Sequence, residues 1–250
     1  YYNESYGDLK YAHFDGSSWN RRGIDDDNSG RWNSIAVDSN DEIHISYWDT
    51  TTDELNYAHY DGSWWSTSTI DTSGLVGMFT SIAVDSSDNI HISYCTNDGD
   101  NLKYAYYNGS SWSTSTIDSL GTTGNVECYS SIAVDSNDDI HISYYESSNE
   151  DLKYAHYDGS SWNVSIIDSV SRVGLHTSIA VDSNDEIHIS YFDNQNNNLK
   201  YAYFDGSSWS ISTIDSGGTG AEVGFYTSIA IDSNDEIHIS YYDIANSNLK

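Results

Sequence analysis

The chain has 250 residues, of which 39 are acidic and 9 are lysine or arginine, so its formal net charge is −30. Such a charge repels phosphate backbones and argues against a nucleic acid as partner. No uninterrupted apolar run exceeds four residues, which excludes a membrane-inserted segment. Aromatic residues make up 14% of the chain, enough apolar surface to form a core rather than a disordered chain.

The sequence is built from five copies of one repeat, spaced about 47–50 residues apart. Each copy contains Ser-Ile-Ala-Val/Ile-Asp-Ser, then Ile-His-Ile-Ser-Tyr, then a Leu-Lys-Tyr-Ala type segment, and last (Asp/Asn)-Gly-Ser-(Ser/Trp)-Trp. The first of these segments begins at Ser34, Ser81, Ser131, Ser178 and Ser228. A period of this size indicates one supersecondary unit per copy.

Each copy predicts four short strands in chain order, illustrated by residues 82–85, 90–94, 102–107 and 112–117. These segments are rich in Ile, Val, Tyr, Thr and Trp, which favour a half-buried sheet surface. Asn-Gly and Asp-Gly pairs mark the hairpins between the third and fourth strands. Four strands per repeat are typical of a β-propeller blade.

We therefore expect an all-β fold, a five-bladed β-propeller of four-stranded antiparallel blades forming a single domain over residues 1–250. Four blades are predicted at residues 34–71, 81–118, 131–168 and 178–215. The fifth would combine residues 228–243 with residues 9–24, a 2+2 clasp that closes the ring. Residues 1–10 repeat residues 241–250. Either the chain belongs to a longer array, or one copy is spare at the clasp.

The motifs Ser-Ile-Ala-Val-Asp-Ser, His-Ile-Ser-Tyr-Tyr, Leu-Lys-Tyr-Ala and Asp-Gly-Ser-Ser-Trp resemble uncharacterised propeller-like repeats of secreted bacterial and archaeal proteins. That resemblance implies the propeller fold and an extracellular or cell-surface location, but no activity. The segment from Asp158 to Trp162 is distantly similar to the Asp-box hairpin of sialidase-type propellers, where the box is structural. Blade number and repeat length are also similar to five-bladed animal lectins of the tachylectin type, an analogy of fold.

Two repeated polar features could bind metal. The histidines of the second strands are predicted to be buried and hydrogen-bonded to Ser, Tyr or Asp, rather than to share one ion. The first hairpin, Asp-Ser-Asn-Asp-Glu in its first copy, has the alternating oxygens of a calcium loop but lacks its glycine and distant glutamate. Plain acidic turns are the favoured interpretation, with calcium as the alternative, so no cofactor and no metal site are predicted.

Positions at which the copies differ are the ones that indicate candidate binding residues. A bulky group stands two residues before each Ser-Ile-Ala segment, and these five form the candidate ligand-binding set: Trp32, Phe79, Tyr129, His176 and Tyr226. Aromatic faces at the mouth of a ring could stack on sugars or other flat ligands. The alternative is that the same side chains only pack against neighbouring blades.

The two cysteines are predicted to form a disulfide. Cys95 ends the second strand of one blade, and Cys128 lies in the loop that leaves the same blade. The bond would close a loop of about 34 residues and indicates an oxidising, extracellular setting. Two free, buried thiols are the alternative.

These observations favour a non-catalytic extracellular binding module, for carbohydrate or another cell-surface ligand, that is monomeric and is not an enzyme. The alternative function is a structural or adhesive unit of a surface protein. A glycoside hydrolase is less favoured, because the repeated acids occupy equivalent settings and do not separate an acid from a base.

Overall fold

The computed structural model describes residues 1–26, 28–96, 101–119, 128–218 and 222–250. Across these ranges the chain is all-β, with 22 strands in six sheets and no helix. Contacts group the chain into two compact units, Tyr1–Asn97 with Lys103–Ser115, and Asp98–Leu102 with Thr116–Lys250. None of the described segments forms a helix that could cross a membrane.

The first three sheets follow chain order, each strand antiparallel to its neighbour. The first sheet contains β1 (Tyr2–Asn3), β2 (Asp8–Phe14) and β3 (Trp19–Asp25). The second contains β4 (Ser29–Val37), β5 (Ile43–Asp49), β6 (Glu54–Tyr60) and β7 (Trp65–Asp71). The third contains β8 (Val76–Val84), β9 (Ile90–Thr96), β10 (Asn101–Tyr107) and β11 (Trp112–Ser119).

The other three sheets repeat the plan. The fourth contains β12 (Ser130–Val134), β13 (Ile140–Glu146), β14 (Asp151–Tyr157) and β15 (Trp162–Asp168). The fifth contains β16 (Val173–Val181), β17 (Ile187–Asp193), β18 (Asn198–Phe204) and β19 (Trp209–Asp215). The sixth contains β20 (Val223–Ile231), β21 (Ile237–Asp243) and β22 (Asn248–Leu249).

The core lies between neighbouring sheets, because the second strands β5, β9, β13 and β17 are buried on both faces, whereas β21 of the sixth sheet is largely exposed. In β9, Ile90, Ile92 and Tyr94 face one side, where they pack with Leu55 of the preceding sheet. The intervening His91 and Ser93 are buried as well. This explains why the Ile-His-Ile-Ser-Tyr segment alternates in polarity without alternating in exposure.

Two contacts tie each sheet to the one before it within a unit. The backbone at Gly77 approaches Leu55 so closely that an added Cβ would lie 2.8 Å from the Leu55 Cα, and Gly174 meets Leu152 in the same way. In addition, the Tyr94 hydroxyl donates a 2.6 Å hydrogen bond to Asp71. Equivalent bonds join Tyr47 to Asp25, Tyr191 to Asp168 and Tyr241 to Asp215.

The predicted 2+2 clasp is not formed by the residues assigned to it. Leu9 pairs with Tyr2 on one side and with Asp25 on the other, inside the first sheet. At the other end, Tyr242 pairs with Leu249 inside the sixth sheet. The duplicated ten residues explain the difference, since each copy supplies a local hairpin partner and a short loop closes at lower entropic cost than a distant pairing.

Candidate functional site

The five candidate side chains share a backbone conformation that the sequence did not reveal. Their φ angles are positive: 46° at Trp32, 50° at Phe79, 32° at Tyr129, 54° at His176 and 50° at Tyr226. For bulky residues this left-handed conformation is an outlier that the surrounding structure must impose. We call these five the rim residues.

In four of the five first strands, β4, β8, β16 and β20, a bulge accompanies this conformation, whereas β12 begins after Tyr129 and pairs without a register shift. In β8 the ladder pairs Met78 with Cys95, skips two residues, and resumes with Ser81 opposite Ser93. The skipped pair is the rim residue Phe79 and Thr80. Thr80 is buried and donates a 2.8 Å hydrogen bond to the Ser46 hydroxyl of the preceding sheet. The bulge thus turns the threonine inward and the rim residue outward.

A bulge also lies at three other rim positions. Register shifts flank Trp32 in β4, His176 in β16 and Tyr226 in β20. Thr177 and Thr227 each donate a 2.8 Å hydrogen bond to a serine of the preceding sheet, Ser143 and Ser190. Four rim positions therefore share a bulged backbone, and a buried threonine follows three of them.

In the first unit, two rim residues pack against each other with tilted rings. The ring centroids of Trp32 and Phe79 are 4.7 Å apart, and those of Trp32 and Trp48 are 4.8 Å apart. Trp32 and Phe79 are both partly exposed. They form a small aromatic cluster that is partly exposed to solvent.

In the second unit, three rim residues form a continuous row of tilted rings. The His176 ring lies 4.4 Å from Tyr129 and 4.4 Å from Tyr226. Burial lowers the pKa of His176 to about 4, so the imidazole is neutral near pH 7. Tyr226 is 71% exposed and Tyr129 is partly exposed. Phe192 and Phe225 pack against His176, and their own rings are 4.1 Å apart.

The predicted disulfide is present. Both cysteines are disulfide-bonded and the chain contains two, so the bond joins Cys95 to Cys128. In the repeat alignment the same place holds Tyr145 with Leu175, which pack in one buried cluster with Phe192. The disulfide replaces an apolar contact used by other repeats.

Four of the five repeated histidines are buried and hydrogen-bonded, as predicted: His44, His91, His141 and His188. The prediction is wrong for the fifth, His238 of the sixth sheet, whose side chain is exposed. His44 Nδ1 lies 2.6 Å from the Tyr57 hydroxyl, and its Nε2 lies 3.3 Å from Asp38. His141 has the same surroundings, with Tyr154 at 2.6 Å. Burial lowers the pKa of His44 and His141, although the nearby carboxylates oppose the shift. These buried histidines join the second strand of a sheet to the third strand through their hydrogen bonds to tyrosine.

The first hairpins have hydrogen-bond partners within the protein. Asp38 accepts the backbone N–H groups of Asn40 and Glu42. Asp88 of the next sheet accepts the Ser39 backbone N–H at 2.9 Å and its hydroxyl at 2.7 Å. The acidic turns therefore cap their own loops and join neighbouring sheets.

Sequence reasoning missed two grooves between neighbouring sheets of the first unit. The first groove, between the first and second sheets, has a volume of about 500 Å³ and includes Tyr11, Arg22 and Trp65. The second groove, between the second and third sheets, has a volume of about 440 Å³ and includes Glu42, Tyr57 and Trp112.

The two grooves are equivalent in the repeat but differ in polar lining. In β2 and β3, Arg22 lies opposite Tyr11, whereas in β6 and β7 the residue opposite Tyr57 is Ser68. Trp65 and Trp112, at the start of their fourth strands, pack against Tyr11 and Tyr57 of the preceding sheet. Each tryptophan also lines one of the grooves. The signal that could have located the first groove is the departure of Arg21-Arg22 from the repeat.

No protein-family model matches the chain, and no curated protein matches it in sequence. Solved structures do match. The Aleuria aurantia lectin, in complex with Fucα1-6GlcNAc, has a TM-score of 0.65 and 15% identity over 97% of this chain and 83% of its own. AofleA from Arthrobotrys oligospora has a TM-score of 0.64 and 11% identity over 94% of this chain and 72% of its own.

Enzymes are among the structural neighbours as well. The Hadza microbial sialidase Hz136 has a TM-score of 0.58 and 10% identity, covering 86% of this chain and 53% of its own. At such identities the likeness is one of fold. The neighbours include β-propeller lectins, in agreement with the distant likeness to propeller lectins drawn from the sequence.

Proposed function

We propose that the protein is a non-catalytic extracellular glycan-binding module whose ligand stacks on the rim residues. The observation that carries this proposal is the left-handed backbone at all five rim positions. Each such residue costs of the order of 1–3 kcal/mol, and outliers of this kind concentrate at ligand clamps. Packing alone would be served by bulky residues in ordinary strand geometry.

The chemistry of the rim suits sugar rings. Clustered aromatic side chains that are partly exposed can form platforms that cover the apolar C–H face of a pyranose. Trp32 with Phe79, and His176 with Tyr129 and Tyr226, are such platforms. Several equivalent weak sites on one chain would combine into useful avidity toward a branched or polymeric glycan.

The acids support binding rather than hydrolysis, whereas the structural neighbours include proteins of both kinds. A structural neighbour from Aleuria aurantia is a lectin in complex with Fucα1-6GlcNAc, while the neighbour Hz136 is a sialidase. Hydrolysis needs two carboxylates in different environments. Here the repeated Asp71, Asp168 and Asp215 all accept from a tyrosine and a lysine, so their environments are equivalent.

The disulfide supports an extracellular location, because such bonds persist in oxidising compartments. We infer that the module acts there as a monomer.

The test is a glycan-array screen followed by titration calorimetry with the best ligand. Tyr226→Ala removes a 71% exposed ring and should leave the fold intact. We expect it to weaken binding roughly tenfold, about 1.4 kcal/mol. Trp64→Ser is the matched control, since Trp64 is 74% exposed, lies outside the rim and is a serine in other repeats.

If both variants lose glycan affinity equally, or if neither loses it, the rim residues are not the binding site. Absence of binding at millimolar sugar would favour the alternative function, a structural or adhesive unit of a surface protein.

A further inference from the structure

We infer that the first groove is a second binding site, specific for a saccharide that carries a carboxylate. This site is separate from the rim and does not depend on it. The groove volume of about 500 Å³ is within the range of small-molecule sites. Its lining includes aromatic rings together with Arg21 and Arg22, and Arg22 lies on the sheet face of Tyr11, a pairing suited to an acidic sugar ring.

The arginine pair departs from every other repeat. Arg22 lies opposite Tyr11, and the residues in the same register elsewhere are Ser68, Ser165 and Ser212. The chain has four arginines, and two of them are adjacent here, on a molecule of net charge −30. A repeat array that replaces a short hydroxyl by arginine at one register position has changed the chemistry of that groove.

The geometry places a guanidinium beside an aromatic wall. Arg22 shares a sheet face with Tyr11 because directly opposed residues project to the same side. Tyr11 stacks with His13 at 6.3 Å and meets Trp65 at 5.2 Å between ring centroids. Asn20, opposite His13, adds an amide to the same face.

The arginines are available for a ligand. Among the described residues, no carboxylate lies within ion-pair distance of Arg21 or Arg22, and both are exposed. Asp41 also lines the groove and is its acidic member. A guanidinium binds a carboxylate through two parallel N–H···O bonds, which selects the planar anion over a neutral hydroxyl.

The second groove supplies the internal contrast. Its lining holds Asp38, Glu42 and Asp88, and Ser68 in place of arginine. Glu42 is engaged by His59, at 2.6 Å from Nε2. An acidic sugar should therefore avoid the second groove and bind the first.

The experiment compares trigalacturonate with its methyl ester, which keeps the sugar ring and removes the charge. Binding is followed by NMR chemical-shift titration at 0.15 M salt, where charges farther than about 8 Å are screened. We expect the acid to bind at least tenfold more tightly than the ester, with shifts confined to residues around Tyr11 and Trp65.

Arg22→Ser restores the residue of the other repeats and should weaken binding of the acid at least tenfold. Arg172→Ser, which removes the same charge from the second unit, should leave binding unchanged. Equal binding of acid and ester, or an unchanged affinity in Arg22→Ser, would overturn the proposal.

The variant Tyr226→Ala distinguishes binding in the first groove from binding at the rim residues. If it abolishes binding of trigalacturonate, the acid binds at the rim and the first groove is not the site. If neutral glycans fail to bind while the acid binds through Arg22, the proposed rim function fails and the groove remains.

Discussion

At the scale of the residue, equivalent positions of the repeat hold different side chains, and the buried acid of the fourth sheet is the sharpest case. Asp151 lies opposite Glu146, and both are buried, at 6% and 1% exposure. Burial, and then the Glu146 charge, raise the pKa of Asp151. The fifth and sixth sheets place Asn198 and Asn248 at this position, each opposite an aspartate.

We predict that Asp151→Asn stabilises the protein at pH 7. A raised pKa in the folded state means that ionised Asp151 opposes folding above that pKa, and that the penalty disappears as the pH falls below it. The unfolding midpoint should rise by about 2–4 °C for each kcal/mol of repulsion relieved. Thermal melts of the variant and the parent at pH 7 and pH 3 measure the difference.

Asp158→Asn is the control of opposite sign. Asp158 accepts the backbone N–H groups of Ser160 and Ser161, and hydrogen bonds lower its pKa to about 2. Its replacement should destabilise the protein at pH 7. An Asp151→Asn variant that melts below the parent at pH 7 would contradict our account of the pair.

Rim positions could be read from the sequence, but their conformation could not. Five bulky residues two places before each Ser-Ile-Ala segment stand out in the repeat alignment. Four of their positive φ angles coincide with a bulge, and at three of these positions the next residue is a buried threonine, as with Thr80, which donates to Ser46. That bond joins residues of two sheets, so no local pattern predicts it.

At the scale of the element, glycines govern how closely the sheets approach. Gly174 has φ of 100°, and an added Cβ would lie 2.8 Å from the Leu152 Cα. Gly159 has φ of 81° but no atom within 4 Å of such a Cβ. A side chain at either position would strain the backbone, but only at Gly174 would it also clash with a neighbouring strand.

We predict that Gly174→Ala destabilises the protein far more than Gly159→Ala. Both variants incur the left-handed penalty of about 1–2 kcal/mol. Gly174→Ala adds the displacement of a neighbouring backbone, typically another 1–3 kcal/mol. Urea denaturation gives both free energies of unfolding, and equal values would show that the close approach relaxes at no cost.

The strands themselves were predictable, because Ile-His-Ile-Ser-Tyr and its neighbours alternate with a period of two between Asn-Gly or Asp-Gly turns. The predicted segment 90–94 lies within β9, Ile90–Thr96. The end sheets were predicted wrongly, since the sequence offers residues 9–24 two partners and pattern alone does not rank them. The local hairpin, with Tyr2 opposite Leu9, is the one that forms.

At the scale of the whole molecule, the net charge of −30 spreads over an accessible surface of 11780 Å². Like charges at this density repel, and the folded state concentrates them. Carboxylates such as Asp71 are held by Lys103 and Tyr94, but nine lysines and arginines cannot pair with 39 acids. Repulsion should therefore oppose folding at low ionic strength.

We predict that the unfolding midpoint rises as sodium chloride increases from 0.02 to about 0.5 M, because the screening length falls from tens of ångströms to a few. Potassium chloride at equal ionic strength should have the same effect if screening is the cause. A midpoint that stays flat or declines with salt would show that paired contacts, such as Lys103 with Asp71, outweigh the repulsion.

The hydrogen bond from Tyr94 to Asp71, and its counterparts in the other sheets, has a consequence for the history of the gene. The acceptor comes from one copy of the repeat and the donor from the next copy. Each copy therefore carries both an aspartate that accepts and a tyrosine that donates. Unequal crossing-over at matching codons would then add or delete an entire module without leaving a mismatched seam. Proteins built from the same repeat are expected to vary in the number of repeats more readily than in the tyrosine and the aspartate that form this hydrogen bond.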